Sequence, residues 1–356
     1  MKRKWIVSII IIVVCIIIVC FIQSASNKKL EAQPIEWNDG NISEIRVAVQ
    51  QYYISSPIGY ILDNKLDEKF GLKLIPIEYP SGAEQIRDVD KDKYDVATIG
   101  AAFLFPTAED KAVVIGEHIK STSGNSIYVR KDSPILKVKG FNPTFPSLYG
   151  DLETVKGSIV LMQENTTSQY IGLKWLESIG VQRQSVNIEY MNLNKIYNKF
   201  EEGYGDIAVL GAPDSYQAEK NGFVKIASTD SLHADIYEVL MATKKAHMEK
   251  TDELIRFVRL MLYTNRILEE NNNLKLSACE NWYQEHDMTF TSDTLKKECR
   301  DKQFVTRDNY SMEDFGEFEL KYAEYMVAIG NIAPINLQNV EKNIDRELFK
   351  EAFEQE

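Results

Sequence analysis

The chain is poor in cysteine, histidine and positive charge. Its 356 residues contain four Cys and four His, and 41 Lys and Arg stand against 53 Asp and Glu, a formal charge of −12. So few cysteines exclude a disulfide-rich scaffold, and the acidic balance argues against a nucleic-acid-binding protein. A mean hydropathy of −0.28 excludes a polytopic membrane protein. Hydrophobic residues still make up 44% of the chain, which is enough for a packed core, and the length suggests about two domains.

Sequence signatures of catalysis are also missing. His118, His233, His247 and His286 lie far apart, without the H-E-x-x-H spacing of a metalloprotease, and neither G-x-S-x-G nor G-x-x-x-x-G-K occurs. We therefore predict that the chain is not an enzyme and that it holds no metal and no cofactor.

The longest apolar run lies near the N-terminus. Three basic residues within positions 1–4 precede it, and from Trp5 to Ile22 only Ser8 is polar. As a helix this run would measure about 27 Å, which just reaches the thickness of a bilayer core. The basic start favours the cytosolic side. We predict that residues 1–26 are a signal segment or membrane anchor, and that the rest of the chain is extracytoplasmic, tethered to the outer face of the cytoplasmic membrane.

Three fates of this N-terminal segment stay open. Cleavage can follow Ser24-Ala25-Ser26, Cys20 can carry a lipid, or the segment can remain as an uncleaved anchor. We favour an anchor or a lipid over full secretion. Residues 27–43 combine Pro, Gly, Asn and Asp with little periodicity, and we predict that they form a tether between the membrane and the folded part.

Two blocks of sequence recur at an offset of 111 positions. Residues 77–79, Ile-Glu-Tyr, return at 188–190, and the apolar block at 95–101 returns at 206–212. Around each pair of blocks the pattern predicts strand, helix, strand, helix and strand in that order, over 45–51, 57–70, 72–79, 81–93 and 94–99, and again over 158–163, 166–179, 186–190, 193–202 and 206–210. Such alternation predicts mainly parallel α/β sheets, and the repeat predicts two similar lobes.

The connections between the repeated units predict a discontinuous first lobe. Strands predicted at 126–131 and 237–244 leave and re-enter it. Lobe 1 is then built from residues 44–128 and 238–356, and lobe 2 from 129–237. The C-terminal hundred residues are predicted to be helical, because their apolar residues recur at helical spacing.

The predicted ligand site lies beyond the carboxyl ends of the strands, where open α/β sheets bind their ligands. Gly100 and Gly211 let the backbone approach a ligand, and the free N–H groups of a helix starting near Thr167 can hold an anion. Ser81 and Thr166 also fit helix caps, which is the alternative role for both. Convergence from both lobes favours a site, and the predicted ligand contacts are Gln51, Tyr52, Ser81, Gly82, Gly100, Ala101, Glu164, Thr166, Thr167, Ser168, Asn192, Gly211 and Ala212.

Six short motifs follow one another in a characteristic order, at 78–82, 94–100, 128–134, 152–157, 167–170 and 205–213. Their order resembles the nitrate, sulfonate, taurine and thiamine-precursor binding family of ABC-importer substrate-binding proteins. The resemblance covers about residues 43–250. It implies a type II periplasmic-binding-protein fold whose two lobes close on a small organic solute and deliver it to permease and ATPase subunits. It also implies a monomer without a cofactor. At 212 this chain has Ala where the family often has an aromatic residue.

The charge of the solute stays open between a sulfonate, a nitrate-like anion and an aminopyrimidine. The predicted loops contain no Arg or Lys, and their one charged residue is Glu164. Glu164 either faces solvent or meets a cationic or zwitterionic ligand, because a buried carboxylate needs a partner. Two other functions are alternatives: a pyrimidine-synthesising enzyme of the same fold, which needs His and Cys near the cleft, and a ligand-sensing domain of a membrane receptor.

Cys279 and Cys299 are the cysteines outside the N-terminal segment, and both fall in the predicted helical region. In an exported protein they can form a disulfide, worth about 3 kcal/mol by loop closure. The alternative is a pair of free thiols.

Overall fold

A computed structural model describes residues 42–356 and contains two open sheets. The first sheet has the strand order β11-β4-β10-β3-β1-β2, and the second has the order β7-β6-β8-β5-β9. The strands are β1 Ser43–Gln50, β2 Leu72–Tyr79, β3 Val96–Ile99, β4 Ala112–Ser121, β5 Ser126–Val129, β6 Ile159–Met162, β7 Asn187–Tyr190, β8 Ile207–Leu210, β9 Val224–Ser228, β10 Ile236–Thr243 and β11 Lys302–Phe304.

The two sheets repeat one arrangement of parallel and antiparallel strands. In the first, β1 pairs in parallel with β2 and β3, and β10 runs antiparallel to β3 and β4. In the second, β6 pairs in parallel with β7 and β8, and β5 runs antiparallel to β8 and β9. The order β2-β1-β3-β10-β4 therefore matches β7-β6-β8-β5-β9. The predicted α/β class and the two similar lobes are confirmed. The second sheet is built from five strands that are consecutive in the chain, whereas the first takes β10 and β11 from the part of the chain that follows them.

The central strands are formed by the repeated apolar blocks. All four residues of Val96–Ile99 and all four of Ile207–Leu210 are buried. Parallel strands covered by helices on both faces need such continuous apolar runs, which is why the repeat was visible in the sequence.

The chain crosses between the sheets through residues 122–125 and 229–235, which lie between paired strands. Strand Ser126–Val129 pairs with β8 and β9, so residues 126–128, assigned to lobe 1 by the sequence, belong to the second sheet. Strand Ile236–Thr243 begins two residues before the predicted return at 238. Both crossings lead directly into antiparallel strands. The first contains Gly124 at a φ of 96°, a turn residue that marks the change of sheet.

The helices cover both faces of the sheets and form the C-terminal region, as the sequence predicted. Their bounds are Ser56–Asp63, Leu66–Lys69, Gly82–Ile86, Leu104–Ala108, Leu152–Val155, Thr167–Ser178, Leu193–Glu201, Asp214–Lys220, Lys244–Glu249, Thr251–Glu270, Asn272–Glu285, Ser292–Asp301, Glu317–Ala328, Leu337–Lys342 and Arg346–Glu354. The helix predicted at 57–70 is divided because Lys65 has a φ of 49°, and the helix predicted at 81–93 ends at Ile86 in a series of turns.

The C-terminal region contacts both lobes. Its strand Lys302–Phe304 extends the first sheet along β4. Its helix Ser292–Asp301 reaches the second lobe, where the Tyr216 hydroxyl donates to Asp301 Oδ2 at 2.7 Å and Lys297 Nζ lies 2.9 Å from Glu219 Oε2.

Across residues 42–356, no helix has the length and apolar character needed to cross a bilayer. The anchor predicted at 1–26 and most of the predicted tether lie outside the described residues.

Candidate functional site

A cavity of about 90 Å³ lies between the carboxyl ends of the two sheets. Sites for drug-sized ligands usually measure 300–1,000 Å³, so this cavity suits a small solute. Both lobes and the C-terminal region line it, through Gln50, Tyr52, Ile54, Ser81, Gly82, Gly100, Ala101, Ala102, Asn125, Gln163, Thr166, Thr167, Ser168, Leu193, Gly211, Ala212, Glu238 and Lys302.

Ten of the thirteen predicted contacts line this cavity, namely Tyr52, Ser81, Gly82, Gly100, Ala101, Thr166, Thr167, Ser168, Gly211 and Ala212. Their role in binding stays a prediction. The other three do not line it, and each is the neighbour of a residue that does: Gln51 of Gln50, Glu164 of Gln163 and Asn192 of Leu193. Successive side chains at a strand end point to opposite sides, so for Gln51 and Glu164 an error of one residue removes the side chain from the site. Asn192 precedes the first residue of helix Leu193–Glu201, and it is Leu193 that reaches the cavity.

Glu164 is exposed and lies outside the cavity-lining set. The sequence left two roles open for it, and the structure places its carboxylate on the solvent side. The residue that reaches the cavity is Gln163, which is 4% exposed.

Equivalent hydrogen bonds fix the loop after β1 in lobe 1 and the loop after β6 in lobe 2. In lobe 1 the backbone N–H of Gln50 donates to Ser55 Oγ at 2.9 Å. In lobe 2 the backbone N–H of Gln163 donates to Ser168 Oγ at 3.3 Å. In both lobes the acceptor follows five residues after a glutamine at a strand end, so the duplication extends to the loops that hold the cavity.

The side chain of Gln50 is fixed within lobe 1. Its amide Nε2 donates to Gln85 Oε1 at 3.0 Å and to the Thr98 carbonyl at 3.2 Å. The Ser55 and Thr98 hydroxyls are 2.7 Å apart. These buried bonds fix the wall, because the Gln50 amide nitrogen and the Ser55 and Thr98 hydroxyls are paired inside the lobe.

Two hydrogen bonds cross the cleft. The amide Nε2 of Gln163 donates to Ser81 Oγ at 2.8 Å, and the backbone N–H of Ala101 donates to Thr167 Oγ1 at 3.3 Å. Ser81 also accepts from the Ala83 N–H, so it caps its helix and reaches the other lobe. Thr166 does not cap with its side chain, and its hydroxyl donates to the Gln163 carbonyl at 2.9 Å. The lobes are therefore closed on each other in this structure.

The charged residues of the cavity come from β10 and β11, outside the loops in which the sequence located the site. Glu238 is 7% exposed and Lys302 is 6% exposed. Lys302 Nζ lies 3.4 Å from Glu238 Oε1 and 3.3 Å from Glu298 Oε1. Burial by itself would lower the pKa of Lys302, but the two carboxylates outweigh it and raise that pKa.

Further acidic groups surround the cavity. Burial raises the pKa of Tyr52 to about 12, against a hydrogen bond from Gln51, and the carboxylates of Asp214 and Glu84 add to the rise. Burial also raises the pKa of Asp214 to about 6. The electrostatic surroundings of the cavity are thus dominated by carboxylates.

The C-terminal helices support the cavity wall from behind. The indole N–H of Trp282, on helix Asn272–Glu285, donates to the Gln50 carbonyl at 3.1 Å. Gly59 lets this ring pack closely, since a Cβ there would lie 2.6 Å from Trp282 Cε3. The wall and the C-terminal helices therefore form one packed unit.

Cys279 and Cys299 are free thiols in this structure. Cys279 is buried, and burial together with a hydrogen bond to Cys299 raises its pKa well above the ordinary value. The sequence left a disulfide and free thiols open, and the structure has the thiol form.

The part of the chain spanning 42–356 contains no group of three His, Cys, Asp or Glu residues that could hold a metal ion. His118 is buried among core residues, and its Nε2 lies 3.0 Å from the Ile54 carbonyl. Burial lowers the pKa of His118 to about 4, so this histidine is neutral in the fold.

Solved structures with the same architecture include several binding proteins. The periplasmic aliphatic sulphonate binding protein of Escherichia coli matches with a TM-score of 0.66 and 13% identity, over 86% of this chain and 99% of that chain. The alkanesulfonate-binding protein of Xanthomonas axonopodis pv. citri, solved with MOPS, gives 0.68 and 13% over 86% and 99%. The periplasmic nitrate-binding protein of Synechocystis PCC 6803 gives 0.66 and 10% over 88% and 89%. The chain therefore has the periplasmic-binding-protein fold, and the predicted two-lobed type II fold is confirmed.

A curated relative of similar length agrees with this fold. It is a protein of Brachyspira hyodysenteriae, provisionally named an ABC transporter periplasmic binding protein, with 28% identity over 352 residues and 99% of each chain. This relative's name, together with the sulfonate- and nitrate-binding structures, confirms the resemblance to ABC-importer binding proteins that the six motifs indicated. No family model matches the chain.

Proposed function

We propose that this chain is the extracytoplasmic solute-binding component of an ABC importer, and that it captures a small solute by closing its two lobes. One observation carries the proposal: the small cavity at the strand ends is lined from both lobes, and Gln163 of one lobe bonds to Ser81 of the other beside it. A site assembled from two lobes exists only when the lobes are together, so a solute that contacts both favours closure. The binding proteins that share the fold, and the name of the curated relative, support this function.

We infer that the protein binds its solute without changing it. The cavity-lining residues include no His and no Cys, and the one lining carboxylate, Glu238, pairs with Lys302. The lining hydroxyl that meets a carboxylate is that of Ser81, which donates to Glu84 while it accepts from the Ala83 N–H and from Gln163 Nε2. These bonds commit Ser81 to the helix start and to lobe closure, whereas covalent catalysis requires a nucleophile that is free to attack. The relatives named above are binding proteins, which supports the same conclusion.

The test is to identify what the protein carries. Full-length protein is extracted from its own membranes, washed, denatured, and analysed for released small molecules by mass spectrometry. We expect about one small solute per chain. Gly100→Leu should release none, because Gly100 lines the cavity and a Cβ there would lie 3.2 Å from Thr167 Oγ1 of the other lobe. The extended backbone at Gly100 is one that any residue adopts.

The matched control is Asn194→Leu, which adds a similar side chain at an exposed position beside the cleft. It should carry the same solute as the natural protein, and both variants should keep its melting temperature within a few degrees. Equal solute in Gly100→Leu and Asn194→Leu, or none in the natural protein, contradicts the proposal.

We infer that the N-terminal segment anchors the protein at the outer face of the cytoplasmic membrane, where a permease can meet it. The basic start and the apolar run from Trp5 to Ile22 support this location. The intact mass of membrane-extracted protein tests it. A chain that begins at Asn27 contradicts the anchor, whereas a retained segment or an added lipid mass supports it.

A further inference from the structure

The floor of the cavity contains a buried row of three charged residues. Glu238 and Lys302 line the cavity, and Glu298 lies behind Lys302 with no exposed surface. The Lys302 ammonium is 3.4 Å from Glu238 Oε1 and 3.3 Å from Glu298 Oε1. Glu298 is itself held in place, because the Tyr283 hydroxyl donates to its Oε2 at 2.8 Å. The row runs from the cavity into the core of the C-terminal region.

The positive charge of this row is already satisfied. Lys302 pairs with a carboxylate on each side, and its ammonium also lies over the Tyr53 ring, 5.3 Å from the ring centroid. Both carboxylates lie at ion-pair distance from the ammonium and offset its charge. Among the cavity-lining residues Lys302 is the one cation. The cavity thus offers no uncommitted positive charge to an anion.

The negative charge of the row is not satisfied. The row holds two carboxylates against one ammonium, and Glu238 Oε2 and Glu298 Oε1 are both buried without a hydrogen-bond partner among residues 42–356. Of these two residues, Glu238 lines the cavity. A buried carboxylate oxygen without a donor is expensive, and such groups normally find a partner. Because Glu238 is a lining residue of the cavity, the missing donor can come from a bound solute. Asp214 and Glu84, the carboxylates near Tyr52, repel an anion from the same region.

We propose that the solute presents a cationic nitrogen, such as an ammonium or amidinium group, to Oε2 of Glu238, and that Lys302 is a positioning residue for that carboxylate. This inference rests on the proposed solute-binding function and names the chemical class of the solute. It differs from what the names of the fold neighbours state, since those proteins are named for sulfonate and nitrate. A charged N–H···carboxylate contact is roughly twice as strong as a neutral hydrogen bond.

The test compares the affinities of small probes with and without a cationic nitrogen. Full-length protein, stripped of solute by partial unfolding and refolding, is titrated by calorimetry with 2-aminoethanesulfonate, ethanesulfonate, ethylammonium, guanidinium and nitrate. We expect the nitrogen-bearing cation or zwitterion to bind at least about tenfold more tightly than ethanesulfonate and nitrate, because removal of the amine leaves the buried carboxylate unpaired. In Glu238→Gln this preference should fall to within about twofold.

Asp235→Asn is the matched control. It removes one negative charge three residues from Glu238, but its side chain is 66% exposed and pairs with Lys120 at the surface. It should keep the preference of the natural protein. Thermal unfolding of both variants shows whether they fold.

Three results overturn the inference. The first is that ethanesulfonate or nitrate binds as tightly as the probes with a cationic nitrogen. The second is an unchanged preference in Glu238→Gln, and the third is that no probe with a cationic nitrogen binds up to about 10 mM. These results differ from failure of the proposed function, which is judged by whether a solute is released from the natural protein. A released solute without a protonatable nitrogen overturns this inference and leaves the binding function in place.

Discussion

Replacement of Gln163 by leucine should open the cleft. The Gln163 side chain is almost fully buried and makes two hydrogen bonds of different kinds. Its Oε1 accepts from the Leu193 backbone N–H at 3.2 Å inside lobe 2, and its Nε2 donates to Ser81 Oγ at 2.8 Å in lobe 1. Leucine has nearly the same volume and can make neither bond.

The expected change in the open–closed equilibrium depends on which of these two hydrogen bonds breaks when the cleft opens. The Leu193 bond lies within one lobe and is present whether the cleft is open or closed, so its loss cancels from the opening equilibrium. The Ser81 bond exists only in the closed form. A buried hydrogen bond contributes about 1 kcal/mol net, so Gln163→Leu should shift the equilibrium toward the open form about fivefold.

The assay is single-molecule energy transfer between fluorophores on Arg87 and Lys195. Both residues are exposed, and they follow the cavity-lining Ser81 and Leu193 by a few positions. We expect a larger open population for Gln163→Leu. The control is Gln50→Leu, which removes an equally buried glutamine whose side-chain bonds stay inside lobe 1. Gln50→Leu should lower stability without changing the open fraction. Equal open fractions for Gln163→Leu and the natural protein would refute the reasoning.

Two further predictions concern stability. Burial raises the pKa of Glu117 and of Glu319, the latter from 4.5 to about 7. The folded state therefore keeps protons that the unfolded chain loses, and stability falls as the pH rises from about 4.5 to about 7. In denaturant unfolding, Glu319→Gln should raise the free energy of unfolding by about 1 kcal/mol or more at pH 8 and by little at pH 4. The control, Glu317→Gln at an exposed position of the same helix, should show no such difference between the two pH values. Equal pH profiles of the unfolding free energy for the two variants would contradict this prediction. Gly59→Ala should destabilise by about 1 kcal/mol, because overlap with Trp282 outweighs the gain in helix propensity. An unchanged or higher unfolding free energy would show that the ring moves aside.

The sequence was most informative where one local pattern was repeated under the same physical demand. The blocks at 95–101 and 206–212 are the central parallel strands and the glycine turns after them, and both strands are buried on two faces. A strand in that position needs an unbroken apolar run and a small residue at its end, whichever lobe it lies in. The repeat therefore located both sheets and, through Gly100 and Gly211, both walls of the cavity.

The register at the strand ends could not be read in the same way. Gln50 and Gln163 line the cavity, whereas the sequence selected Gln51 and Glu164. Side chains alternate along a strand, but the point where alternation stops depends on the loop that follows. Here the loops are fixed by bonds from the glutamine N–H to Ser55 and Ser168, five residues on. A glutamine and a serine at this spacing in both halves was a signal that pattern analysis could have used.

Glu238 and Lys302 had no such local signal. A charge within an apolar strand is usually read as a solvent-facing position, and Lys302 begins a strand of three residues between helices. Their role is visible only in the fold, where β10 and β11 both pair with β4 and thereby bring distant parts of the chain together. The C-terminal region is then part of the site and not an appendage to it: without Lys302, Glu238 would be a buried charge with no partner at all, which costs several kcal/mol. It follows that the residues that set the charge of the cavity lie on a strand and in the C-terminal region, where none of the recognised motifs occur.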